Sequence, residues 1–314
     1  MSPTTGIIVG ISILAGRFIY HFLKERNADI SSSKFEAYTM NSQHLKDIKA
    51  LLEQKKYNLV ELEISNLSAD KLSQLADYIG LFFQETDFED WLNNSTNSNI
   101  PHLFLGVHYD FLGWQARSHQ RASEVSHNQA VSFHEYQNKA RRQYNKVDEN
   151  SPFMTEVHSR LIRIYKSLGQ RQLAMSHFQH AIAANPNHLA AYANCSEMVQ
   201  PKWGGSYDSI NNLLNDLPDN QLIKQVIRLK LTWDALIMED NYFGGKVEEL
   251  PKLAHETIKR IDQELSTQPP QSIQKFIAYI YMFYIAGELN NKKLEQKYYN
   301  QMNGAFSIYS HGVA

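Results

Sequence analysis

Thiols are almost missing from this chain: Cys195 is its only cysteine, which excludes an internal disulfide and any zinc cluster built from thiolates. Its setting beside Ala190, Ala191 and Ala193 in the run Leu189–Val199 reads as a small packed residue, not a nucleophile. No charge sign dominates either. With 31 basic and 33 acidic residues the net charge is −2, so nucleic acid is not an expected partner. No phosphate-binding loop, serine elbow, dinucleotide fingerprint or His-Glu-x-x-His is present. The sequence therefore assigns no catalytic residue, no metal and no cofactor. What it has instead is enough apolar residue, 43% against 20% charged, to exclude disorder as a global description.

The longest apolar run is Gly6–Leu23, interrupted by Arg17 and His21 and followed by Lys24, Glu25 and Arg26. Its length approaches the ~20 residues of a bilayer-spanning helix. Residues 1–26 are accordingly expected to form a transmembrane anchor, with Arg17 snorkelling toward the Lys24 and Arg26 side. A cleaved signal peptide and an amphipathic helix packed on the body are the alternatives; the first lacks a positive charge in Met1–Gly6. Basic residues follow the run and none precedes it, which places the body in the cytoplasm by the charge rule. Asn27–Asn41, rich in Ser, Asn and Asp, reads as a linker.

From residue 42 to residue 314 every strong periodicity is helical, and the fold class is all-α. Three short helices are expected first: one through Leu45–Leu52 capped by Ser42, one through Val60–Leu67, and one capped by Ser68 with Leu72, Leu75, Ala76, Ile79, Phe82 and Phe83 on a face. Asn93–Asn99 reads as a loop tip, and Pro101 as the opening of a buried helix over His102–Ser118. A long helix follows and stops before Pro152. Downstream, helices are expected over Leu222–Ile237 and Leu250–Leu265, the latter ended by Pro269 and Pro270. The last hairpin joins Ser272–Glu288 to Lys292–Asn303 through Gly287.

Thr155–His188 carries the clearest signal. Leu161 and Tyr165 fill the large sites of a first helix, Gly169 the turn, Ala174 the crossing, Phe178 and Ala181 the second helix, and Pro186 the end. This spacing resembles the tetratricopeptide repeat of about 34 residues. Shifting the template back one period aligns Ala140, Tyr144 and Pro152; shifting it forward aligns Tyr192 and then fails at Pro201–Tyr207. A divergent tetratricopeptide-like α-solenoid of about a dozen helices is expected.

Two strings flank that repeat: YDFLGWQARS at Tyr109–Ser118 and PKWGGSYDSI at Pro201–Ile210. Together they resemble an uncharacterised bacterial domain-of-unknown-function family that pairs a Trp-x-x-Arg helix with a Pro-(Arg or Lys)-Trp-Gly-Gly-Ser-Tyr turn. Lys202 stands where arginine is common, and Ser118 where glycine usually follows. The resemblance implies a tetratricopeptide-like fold and carries no activity; its motif positions here are Trp114, Arg117, Trp203, Gly204, Gly205 and Ser206. With the anchor it implies a single-pass protein of a bacterial inner membrane, a periplasmic body being the alternative to a cytoplasmic one.

Trp203–Ser206 reads as a helix break and new cap, with Ser206 or Asp208 accepting the first amides; the functional alternative is a backbone nest for an anion. Arg117 is expected on or near Trp203. His177, His180 and His188 are expected at the surface, lacking a completing ligand. By repeat position Glu156, Ser159, Arg163 and Lys166 face away from the second helix, where a groove would take a protein or peptide. Ordinary solvent contact is the alternative for that face. The leading expectation is a non-catalytic, membrane-tethered scaffold binding a protein or peptide partner. An anion- or small-molecule-binding module at the Gly-Gly turn comes second, and a hydrolase with an unrecognised site third.

Overall fold

The computed structural model describes residues 43–118, 122–218, 220–267 and 273–311. The anchor, the linker, the Ser42 cap and the Pro269–Pro270 break lie outside the described residues. Among the described residues there are fourteen α-helices and no strand, as an all-α chain requires, and no helix is long and apolar enough to cross a membrane.

The helices α1 (Gln43–Glu53), α2 (Tyr57–Ser65) and α3 (Ala69–Phe82) open the body. A fourth, α4 (Glu85–Asn94), lies between the face ending at Phe83 and the Asn93–Asn99 stretch, where no helix is expected from the periodicity. It is short and mostly polar, and only Phe88 and Trp91, spaced i, i+3, are buried. The Asn93–Asn99 stretch is correspondingly no free tip. Its Thr96 Oγ1 and Asn97 backbone N–H donate to Glu61 Oε2 at 2.8 and 3.1 Å, while Trp91 Nε1 donates to Glu61 Oε1 at 2.9 Å. Helix α5 (Asn99–Arg117) starts before Pro101, which still falls in the first turn where its missing N–H costs nothing.

Helix α6 (His127–Tyr144) packs on α5, and the repeat hairpin follows as α7 (Met154–Ser167) and α8 (Arg171–Ala184). Gly169 takes φ +72° between them, and Ala174, fully buried, sits at the crossing. Beyond lie α9 (Leu189–Met198), α10 (Tyr207–Asn215), α11 (Gln221–Met238), α12 (Leu250–Ser266), α13 (Ile273–Glu288) and α14 (Lys292–His311). In the last hairpin Gly287 is helical and Asn290 takes the positive φ of 53°, so the turn is made by asparagine.

Helix α3 does not simply stack on its sequence neighbours. It packs against α5, α7, α9 and α13, helices spread along the chain. Every residue from Leu72 to Gly80 is buried, the polar face as well as the apolar one. At Gly80 a Cβ would come within 2.6 Å of Val107 Cγ1, so glycine lets α3 and α5 approach. The far end is tied by Gln274 of α13, whose Nε2 donates to Asp70 Oδ2 at 3.1 Å. Such contacts depart from the nearest-neighbour pattern of an open solenoid.

The polar face of α3 is matched by α7. Arg160, 4% exposed, reaches Asp77 Oδ1 with Nη1, the Ser73 carbonyl with Nη2 at 2.9 Å, and Glu156 Oε1 with Nε at 2.6 Å. Ser73 Oγ donates to Glu156 Oε2. Removing one member of such a network strands buried charge, at a cost of roughly 3–5 kcal/mol. Urea denaturation should therefore show Arg160→Met losing about that much. Lys49→Met, which breaks the exposed 2.5 Å pair with Glu53, should lose under about 1 kcal/mol. Similar small losses for both would contradict this packing of α3 on α7.

Candidate functional site

The four residues expected on an open face are all buried: Glu156 and Arg163 are 1% exposed, Ser159 0% and Lys166 4%. The stripe lies on α7 and points into the molecule, not to solvent. Its N-terminal half meets α3. Glu156 is also approached by His188 Nε2 at 3.2 Å, while His188 Nδ1 accepts from the Ala191 N–H at 3.2 Å and caps α9. His188 is thus a buried structural residue, contrary to a surface position. The Ser159 carbonyl accepts from Asn194 Nδ2 at 2.9 Å.

The C-terminal half of the stripe meets both sequence strings. Arg163 Nε lies 3.1 Å from Asp110 Oδ2, and its guanidinium carbon stands 5.4 Å from the Trp114 ring and 5.9 Å from Phe111. Lys166 Nζ pairs with Glu197 Oε2 and sits 4.3 Å over the Trp203 ring. The next layer continues the pattern, with Lys230 Nζ and Gln200 Nε2 on Asp234 Oδ2 at 2.7 and 2.6 Å. Trp114 and Trp203 meet edge to face at 6.4 Å, joining the two strings through their tryptophans. Arg117 stacks on Trp114 at 5.7 Å, the ring that meets Trp203, and Lys166 is a cation over Trp203 itself.

The Gly-Gly turn has a structural explanation. Gly204 takes φ +79°, and a Cβ on Gly205 would stand 1.9 Å from the Val199 carbonyl oxygen. Their amides already donate to the carbonyls of Pro201 and Gln200 at 2.9 and 3.0 Å, so they do not form an anion nest. Ser206 Oγ accepts from the Ser209 N–H at 3.1 Å, as a cap should, and Arg171 donates to the Gly204 carbonyl. The donors left at this site are side chains. Arg163 Nη1 and Nη2, Trp114 Nε1 and Trp203 Nε1 are buried with no acceptor among the described residues. Arg117 and Trp203 are half-buried and Lys202 is exposed, so the cluster reaches the surface on that side. Asp110, Glu197 and Asp234 pair with Arg163, Lys166 and Lys230, and the Lys202 charge also acts on Glu197 and Asp234.

Burial pushes the Lys166 ammonium down to about 8 in spite of Glu197. For Glu156 burial acts upward, but Arg160, His188 and Ser73 outweigh it and hold the carboxyl at about 2. Cys195 is fully buried and its thiol is raised by burial, as a packed cysteine's would be. His158, His177 and His180 gather on the other side of the hairpin, and burial with the neighbouring imidazoles lowers His177 to about 4. His158 was not singled out in the sequence because its partners lie on the next helix.

No family model, curated protein or solved structure matches the chain. The resemblance to the bacterial family rests on the two strings alone.

Because Glu156 is held below its ordinary value of 4.5, its contribution to stability is complete above that pH and is lost as pH falls through about 2. Urea titrations should show this acid limb in the native sequence and a shallower one in Glu156→Gln. Equal slopes in the two proteins would show that Glu156 is not held by this network.

Proposed function

We propose that the chain is a non-catalytic binding module for a small carboxylate- or phosphate-bearing molecule, taken up beside Trp114 and Trp203. One observation supports this reading: the buried guanidinium end of Arg163 and the indole N–H groups of the adjoining Trp114 and Trp203 have no acceptor among the described residues, with the Lys166 ammonium over the Trp203 ring. Buried donors of this kind are costly unless an acceptor reaches them. An anionic oxygen group satisfies several at once, and arginine offers it a planar fork. The acidic side chains nearby do not compete, since each already faces a cation. Lys202, exposed at the outer side, favours an approaching anion.

A peptide lying along the repeat groove is the less supported reading. It requires Glu156, Ser159, Arg163 and Lys166 to be reachable, and α3 stands over the first half of that stripe. A protein partner would have to displace α3 or use another face.

Tryptophan fluorescence titrated with inorganic phosphate and with citrate tests the proposal. Saturable quenching is expected, with Trp203→Phe and Arg163→Met weakening the better ligand about 10- to 100-fold, the range for hydrogen bonds to charged groups. Binding should also weaken above pH about 8, as Lys166 loses its proton. Absence of saturable binding for both anions, or equal affinity in folded variants, would overturn it.

A further inference from the structure

We propose that His158, His177 and His180 form a divalent transition-metal site that ties α7 to α8. One ligand nitrogen from each imidazole lies within 4.8 Å of the other two. His158 comes from α7, whereas His177 and His180 stand three apart on α8 and so share a helix face. The Nδ1 atoms of His158 and His177 are 2.9 Å apart, and the three ring centroids are separated by 5.1, 5.1 and 6.4 Å.

These distances are close to what a metal requires. Tetrahedral zinc with Zn–N bonds of about 2.0–2.1 Å places its nitrogen ligands about 3.3 Å apart. The His158–His177 pair must open by a few tenths of an ångström, and no other pair needs to close by more than about 1.5 Å. His180 is exposed and free to rotate through that distance, while His177 is held in plane by Tyr165, stacked on it at 5.1 Å and 7°. Two Nδ1 atoms facing each other share a single proton between them; a cation would replace that proton and satisfy both lone pairs.

The donor set selects the class of ion. Three imidazoles without a carboxylate or thiolate suit zinc, nickel or copper, and not magnesium or calcium. With three protein ligands, a fourth position is left on the exposed His180 side for water or an incoming ligand. The site is separate from the tryptophan cluster, so its failure would leave the anion-binding proposal unaffected.

The whole chain, freed of metal with a chelator, should be titrated calorimetrically with zinc chloride and with nickel chloride. One equivalent is expected to bind, and Tm should rise by roughly 5 °C at a hundredfold excess over Kd. His180→Ala removes an exposed ligand and should leave the metal-free Tm unchanged while lowering affinity at least about tenfold. His158→Gln should do the same from the other helix. No binding by the native chain, or one equivalent held equally by both variants, would overturn the proposal, the second by tracing the ion to other histidines.

Discussion

Arg160 is the residue around which the interior is organised. Its guanidinium is 4% exposed, and it joins two segments 83 residues apart by meeting Asp77 of α3 and Glu156 of its own helix. A buried cation of this kind is tolerated only while its acidic partners stay in place. That requirement fixes α3 against α7. With α3 fixed, the first half of the charged stripe on α7 is covered by the chain's own helix. The apolar core is arranged accordingly in two bodies that meet at α7, with Leu161 and Ile164 on one side and Ile162 on the other.

The same constraint divides α7 by function. Glu156 and Arg160 serve the α3 contact, one turn later Arg163 faces Asp110 and Trp114, and Lys166 faces Glu197 and Trp203. Each nitrogen of the Arg160 guanidinium has an acceptor, Glu156 for Nε, Asp77 for Nη1 and the Ser73 carbonyl for Nη2. Arg163 differs, since its Nη atoms and the indole N–H groups of Trp114 and Trp203 lack acceptors among the described residues. Charge pairing holds the cluster together, and the leftover donor capacity is what the proposed anion binding would use.

Local structure was legible wherever it depends on local pattern. The hairpin Thr155–His188 could be read because Gly169, Ala174 and Phe178 answer to the geometry of one turn and one crossing. Ser206 as a cap and Cys195 as a packed residue were legible for the same reason. Helix α4 was missed because two buried aromatic residues in ten positions make a weak periodic signal. The orientation of the α7 stripe was misread for a different reason. Glu156, Ser159, Arg163 and Lys166 look like a solvent face, since charged side chains are seldom buried unless paired. Their complement on α3, Asp70, Ser73 and Asp77, has the matching helical spacing, but nothing local reveals that the two stripes face each other. The tryptophan strings show the limit from the other side: their unusual composition marked them, while their meeting edge to face depended on the tertiary arrangement.

The central claim is that α3 is an integral part of the packing on α7 and not a loosely laid segment. Native-state hydrogen exchange measures this directly, because it reports the free energy at which each helix opens. If Arg160 locks α3 in place, the amides of α3 and α7 should exchange through the same opening, at matching free energies and with the same denaturant dependence. Exchange of α3 about a hundredfold faster than α7, through a local opening that leaves α7 protected, would contradict the account.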